Sequence, residues 1–301
     1  MPDPNHPADR LLEAIDRCGA PVCIGLDPVI DRLPTSLRPG PGASGDDVAG
    51  ALLDFGRHVL DAVAGIVPCI KVQSACYERY HEAGISALRG TIAAAAQRGL
   101  EVILDFKRGD IGVSAEHYAA SAFGEDDRSN GRQPAWVTVN SYLGGDGIAP
   151  FLRPGRGAFA LVRTSNPGGD AIQELRLDDG RSVAEAVAGL VARLGESHLG
   201  ARGYSALGAV VGATKPQAAA RLRRIMPRQV FLVPGFGAQG GGAEDVRPCF
   251  DANGAGAIIT ASRSVIYAFS DLDEDWRTSI REAARRFADE IASVARSIGR
   301  G

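Results

Sequence analysis

Eight short, evenly apolar runs rich in β-branched residues, separated by stretches of helical periodicity, limit what this chain can fold into more than any other feature. They occupy 21–26, 68–73, 101–106, 135–140, 158–163, 207–212, 229–233 and 255–260. Each is too short and too continuously apolar for a half-exposed antiparallel strand, so each reads as a strand covered on both faces, as in a parallel sheet. Between the first two runs, Leu52, Phe55, Val59, Val63 and Ile66 recur at helical steps, with Asp46 or Asp47 as the expected N-cap. Near the end, Ile280, Ala284, Phe287, Ile291, Val294 and Ile298 do the same, giving one apolar stripe that faces a core. Eight β-then-α units in 301 residues predict a (β/α)8 TIM barrel, a single α/β domain over 1–301, rather than an open doubly wound sheet. No G-x-G-x-x-G follows the first run. Three long connections are expected at 28–47, 121–134 and 166–180. The first and third leave strand C-terminal ends, where barrel sites are built, and are candidate lids.

Charge and composition exclude several classes. Thirty-three Lys+Arg against 36 Asp+Glu give a net charge of -3 with no block of like charges, which argues against a nucleic-acid surface. Uncharged stretches such as 204–214 fall well short of the roughly 18 apolar residues that span a bilayer, so no membrane partner is expected. The start of the chain, MPDPNHPADR, is polar and proline-rich without a secretory pattern, and the expected location is the cytoplasm. Cys18, Cys23, Cys69, Cys76 and Cys249 are scattered, odd in number and without a C-x-x-C pair, so they read as reduced, mostly buried thiols. His6, His58, His81, His117 and His198 show no ligand spacing, and no metal site is expected.

In a barrel the C-terminal strand tips converge on one axis, and here those tips are polar: Asp27, Lys71, Asp105, Lys107, Asn140, Ser165, Pro234, Gly235 and Arg263. Any one of them has a dull explanation as a loop cap or a solvated strand end, and Asn140 is assigned a structural role. Several charges aimed at one mouth must neutralise one another or a ligand, because a buried unpaired charge costs several kcal/mol. The segment Asp105-Phe106-Lys107-Arg108-Gly109-Asp110-Ile111 is the most informative. Residues two apart in a strand share a face, so Asp105 and Lys107 point into the mouth together while Phe106 packs outward. With Lys71 and Asp110 they would form a Lys-Asp-Lys-Asp chain of zero net charge, each neighbouring pair worth roughly 4 kcal/mol at about 4 Å and a dielectric near 20. A second cluster joins the glycine-rich stretch 233–241 to Arg263. Loops after the seventh and eighth strands are where this fold usually holds a phosphate, through backbone N–H groups and an arginine.

Taken together these residues resemble the orotidine 5′-phosphate decarboxylase family, more closely its longer bacterial branch (type 2). The resemblance runs through Gly25-Leu26-Asp27-Pro28, Lys71, the 105–111 segment, Ser165-Asn166-Pro167-Gly168, Pro234-Gly235-Phe236-Gly237-Ala238-Gln239-Gly240 and Ser262-Arg263-Ser264. It implies decarboxylation of orotidine 5′-phosphate to UMP, direct loss of CO2 from C6 with no metal, Schiff base or other cofactor. Asp27 and Lys71 would contact the ribose, Lys107 would be the proton donor, and Asp105 would sit beside the scissile carboxylate. It also implies a homodimer in which Asp110 and Ile111 complete the partner's site. Ser114 stands where a threonine often touches ribose. Ser165 would bond the pyrimidine edge, and Gln239 and Arg263, with Pro234 and Gly235, would hold the phosphate. Ser262 replaces the glycine more often found before that arginine. Two rivals stay open: a metal-dependent sugar-phosphate decarboxylase or aldolase on a related barrel, and a non-catalytic nucleotide-phosphate sensor.

Overall fold

A computed structural model describes residues 5–124, 133–237, 240–270 and 273–299. The eight runs form β1 (Val22–Leu26), β2 (Cys69–Gln73), β3 (Glu101–Arg108), β4 (Trp136–Val139), β5 (Gly157–Arg163), β6 (Leu207–Val211), β7 (Phe231–Val233) and β8 (Ala257–Ala261). Neighbours pair in parallel and in chain order, and β8 returns to β1 through Val22 opposite Ile259, closing a single-domain (β/α)8 barrel.

Alternation along the strands sorts the apolar residues into two cores. Val22, Ile24, Leu26, Ile70, Val72, Val137 and Val139 face outward against the helices. Cys23, Cys69, Ile103, Trp136, Phe159, Val210, Leu232 and Ile258 face inward and fill the barrel floor. Trp136 and Phe159 stack with centroids 4.6 Å apart. Gly157 and Gly208 make room for them, since a Cβ would lie 2.5 and 2.6 Å from the two rings respectively.

Below that floor, α1 (Pro7–Cys18) plugs the N-terminal end with fully buried Ala8 and Leu11. Asp9 accepts the backbone N–H groups of Ala201 and Arg202 at 2.7 and 2.9 Å, which ties the plug to the connection before β6. The sequence reading has no helix here, although Pro7 at its first turn and Leu11, Leu12 and Ile15 at helical spacing carry the signal.

The helix α2 (Gly45–Val63) forms as its periodicity predicts, but its cap is Ser44 rather than Asp46 or Asp47. Ser44 Oγ accepts the Asp47 N–H at 3.2 Å and the Asp47 carboxylate accepts the Ser44 N–H at 3.0 Å, a capping box that puts Asp47 three residues into the helix. Ile66 lies past its end. The C-terminal helix, Trp276–Ile298, buries Ile280, Ala284, Phe287, Ile291 and Val294.

The first and third long connections carry short helical turns of their own. The first contains 3-10 turns at Ile30–Arg32 and Thr35–Leu37. The helix Gly112–Phe123 runs into the second, of which 125–132 lie outside the described residues. The third holds a turn at Pro167–Gly169, a helical turn at Asp170–Gln173 and a bridge between Arg176 and Ser182. All five cysteines are free, with Cys23, Cys69 and Cys249 buried. Among the described residues no helix is long and apolar enough to cross a membrane.

Candidate active site

The tip of β3 departs from regular pairing. Leu104 lies opposite Val137 and Arg108 opposite Val139, so four steps along β3 match two along β4. The surplus forms a bulge, which re-aims side chains and frees backbone groups from the ladder. Within it Lys107 takes φ 45°, a left-handed conformation that costs a side-chain-bearing residue roughly 1 kcal/mol or more. The freed Lys107 N–H donates to Thr138 Oγ1 at 3.0 Å, and the Thr138 hydroxyl donates onward to Asp105 Oδ1 at 2.8 Å. Asp105 and Lys107 thus share the inner face, as their spacing predicts. Phe106 packs outward, edge-on to Phe151 at 5.9 Å.

Asp105 is the centre of the charges and is only 4% exposed. Its Oδ2 accepts from Lys71 Nζ at 2.8 Å and Gln73 Nε2 at 3.3 Å. Its Oδ1 accepts from Lys107 Nζ at 2.6 Å as well as from Thr138. Lys71 Nζ lies a further 3.5 Å from Asp27 Oδ1. Within one chain the alternation runs Asp27, Lys71, Asp105, Lys107, and Asp110 of the same chain stands outside it. Asp110 stands past Gly109, beyond the strand, and its carboxylate accepts the neighbouring Ile111 N–H at 2.9 Å.

Burial by itself would raise the Asp105 pKa, but Lys71 and then Lys107 outweigh it and hold the carboxyl well below the usual carboxylate range. Burial likewise works against the Lys71 ammonium, and the attraction of Asp105 and Asp27 reverses it, so Lys71 stays charged above its ordinary range. Both groups are buried ions whose charged states depend on each other.

A cavity of about 460 Å³ opens above this array. Asp27, Lys71, Asp105, Lys107, Ser165, Pro234, Gly235 and Arg263 line it, as the sequence reading places them. Gly212 seats Ser165, since a Cβ there would come within 2.9 Å of the serine Cβ, and Thr214 Oγ1 donates to Ser165 O at 3.1 Å. Gly235 has φ 98°, which a side chain would oppose, so the glycine-rich turn after β7 needs glycine at that point. Among the described residues Arg263 has no ion-pair partner, and its exposed guanidinium is free for an anion.

Asp110, Ile111 and Ser114 do not reach the cavity of their own chain; Ile111 is 58% exposed. Gln239 lies outside the described residues. Asn140 is not a lining residue: its Oδ1 accepts the Tyr142 N–H at 3.0 Å and its own N–H donates to Arg108 O at 2.8 Å, a turn-holding role.

Sequence reasoning missed Gln73, Thr138 and Thr260, all of which line the cavity. All stand on the inward faces of their strands, Gln73 and Thr138 two residues from a recognised tip and Thr260 three residues before Arg263. Asp27 Oδ1, Thr260 Oγ1 and Ser262 Oγ are buried with no hydrogen-bond partner, though Lys71 attracts Asp27 across 3.5 Å. Buried polar atoms are nearly always satisfied, so orphans facing one cavity point to a polar ligand. Among the described residues no group of three or more His, Cys, Asp or Glu is arranged to hold a metal ion.

Comparison with known proteins gives this geometry a context. The model of the Orotidine 5'-phosphate decarboxylase / HUMPS family matches residues 20–277, from two residues before β1 into the last helix. The chain belongs to this family. It is 44% identical over 298 residues to the orotidine 5'-phosphate decarboxylase of Rhodopirellula baltica, covering 94% of this chain and 98% of the relative. The orotidine 5'-phosphate decarboxylase of Clostridium perfringens (strain SM101) is 35% identical over 285 residues, covering 93% and 95%. Among solved structures, Leishmania donovani OMP decarboxylase superposes with a TM-score of 0.76 at 30% identity, covering 98% of this chain and 99% of that one. Family membership reaches the mouth of the barrel as well as its frame, because the matched span includes every lining residue.

Proposed function

We infer that the chain is an orotidine 5′-phosphate decarboxylase, converting orotidine 5′-phosphate to UMP in pyrimidine biosynthesis. The observation that carries the chemical reading is the buried Asp105 carboxylate clasped between the Lys71 and Lys107 ammoniums at 2.8 and 2.6 Å under an open cavity. The sugar-phosphate rival loses its footing because relatives matched nearly end to end carry the decarboxylase name. A sensor would have no use for the array.

In the proposed chemistry the bond from C6 to the substrate carboxylate breaks, CO2 leaves, and the electron pair stays on C6. Lys107, whose side chain is 47% exposed to the cavity, stabilises that developing charge and gives C6 a proton, which solvent later restores. Asp105 fixes the ammonium and faces the departing carboxylate. Asp27 and Lys71 hold the ribose, Ser165 the pyrimidine edge, and Arg263 with Pro234, Gly235 and Gln239 the phosphate. Fixed charges aimed at one reacting atom supply the catalysis without a metal or cofactor.

We further propose a cytoplasmic homodimer with shared sites, in which Asp110, Ile111 and Ser114 serve the partner's cavity. Ile111, Val113, Tyr142 and Leu143 are 58%, 68%, 82% and 45% exposed. The two loops carrying them are packed together, since a Cβ on Gly147 would lie 3.0 Å from Asp110 O and 3.5 Å from Leu143 Cβ. An exposed apolar patch beside a half-open charged site is the surface a second copy would cover.

The test is the ultraviolet absorbance of orotidine 5′-phosphate incubated with purified protein in excess EDTA. Conversion to UMP at an undiminished rate is expected. No turnover would refute the activity, and turnover abolished by EDTA and restored by a divalent ion would refute the cofactor-free chemistry.

A further inference from the structure

Two threonines on the inner face of the barrel use their hydroxyls in opposite ways. Thr260 Oγ1, on β8, is buried without a partner. Thr138, on β4 and 1% exposed, uses both capacities of its hydroxyl on β3. A hydroxyl has one proton to give and lone pairs to receive. Ionised Asp105 can only accept, so the Thr138 proton goes to Asp105 Oδ1 at 2.8 Å. That orientation leaves a lone pair for the Lys107 N–H at 3.0 Å.

We propose that Thr138 is a positioning residue for the decarboxylation: through one hydroxyl it fixes both the Asp105 carboxylate and the backbone of the proton donor Lys107. The bulge makes such a device necessary. Arg108 regains the ladder opposite Val139, but Lys107 between has φ 45° and no backbone carbonyl of β4 to receive its N–H. Without the hydroxyl, that amide would be left unsatisfied beside the cavity, and the strand tip would lose the contact that holds the left-handed turn. The Lys107 ammonium would then swing relative to C6, and Asp105 Oδ1 would keep one donor instead of two. Substrate binding rests on other residues across the cavity, so the loss should fall on the chemical step.

This inference rests on the proposed reaction, and its test separates the two. Thr138→Val, Thr138→Ala and Thr138→Ser are compared with wild type for kcat and KM on orotidine 5′-phosphate, and for exchange of the Lys107 amide hydrogen by NMR. Val and Ala are expected to lower kcat at least tenfold with KM changed less than threefold, and to speed Lys107 amide exchange at least tenfold. Ser, which keeps the hydroxyl and loses only the methyl, is expected to stay within threefold of wild type in all three. Should Val fail to fold, the Ala and Ser pair still isolates the hydroxyl. Equal kcat for Ala and Ser, or a loss confined to KM, would overturn the proposal. If wild type itself fails to turn over, the reaction is wrong, and amide exchange alone decides the positioning: unchanged exchange in the Ala variant overturns it.

Discussion

Two buried ionic networks sit at the same end of this barrel and are built on opposite plans. One is the Asp27, Lys71, Asp105 and Lys107 array. The other surrounds Arg163, the last residue of β5, which is 1% exposed. A shift in pairing, Leu161 opposite Val210 but Arg163 opposite Val211, aims it away from the cavity. Its guanidinium donates to Glu174 at 3.1 Å, to Gln173 Oε1 at 2.9 Å, to Thr164 O at 3.3 Å and to Asp170 at 2.5 Å. Lys215 closes the set on Asp170 at 2.8 Å.

In the Arg163 cluster only the arginine is buried. Its acids, Asp170 and Glu174, keep side-chain exposures of 46% and 37%. The cluster is complete within one chain and pins the connection after β5. In the array both signs are buried at Lys71 and Asp105, while Lys107 has among the described residues only Asp105 as an ion pair and stays half exposed. A network meant only for stability would not leave its outermost cation open. The difference separates a clamp that is finished from an array that awaits further partners.

The sharpest break of this comparison should come from Lys107→Ala. Its kcat is expected to fall at least about 100-fold, because general acid catalysis is worth roughly 10²–10⁴. Binding of UMP, followed by calorimetry, should change little, and the unfolding midpoint should fall less than in Lys71→Met, since this lysine is the half-exposed end of the array.

Lys71→Met should reveal the buried middle. It strands Asp105 and Asp27 with one cation fewer, and removing one partner of a buried pair typically costs about 3–5 kcal/mol. Arg163→Met should cost less, about 1–3 kcal/mol in denaturant unfolding, because the acids it abandons relax into water. Its kinetic effect should appear in KM, through the Ser165 segment that it anchors. Equal destabilisation by the two variants would erase the distinction.

The smallest effect is in pH. The pKa of Asp105 is depressed in the folded state, so its stabilisation is fully present above its unfolded value of about 3.9 and is lost only as pH falls through the lower folded value. The stability gap between wild type and Asp105→Asn should therefore be flat from about pH 5 to 8 and shrink below about pH 4. A gap that closes between pH 5 and 7 would mean that the carboxylate is not held by its two lysines.

What was legible in the sequence follows from periodicity. Strands covered on both faces are apolar along most of their length, so their runs stand out, and the charged residues near their tips, Asp105 and Lys107 two apart among them, stand out against that background. The bulge at the β3 tip is invisible in such a pattern, because it depends on the register of β3 against β4. With it went Thr138, whose importance lies entirely in what stands opposite. Asp27 was legible as a polar tip, but its charge contact with Lys71 was not read from spacing, because it too depends on how neighbouring strands stand in register. The plug α1 fell outside the count of strands and helices altogether.

The proposed dimer, in which a second copy of the chain finishes the array, is tested by mixing two inactive variants. Lys107→Ala and Asp110→Ala proteins are each prepared, allowed to exchange subunits, and assayed for conversion of orotidine 5′-phosphate. If Asp110 serves the partner's cavity, every mixed dimer has one site with both lesions and one with neither. Random exchange into twofold dimers makes half of them mixed, so about a quarter of all sites should become intact and activity should return to that level. If Asp110 serves its own chain, every site keeps a lesion. Persistent inactivity after labelled subunits are shown to have exchanged would contradict the shared site.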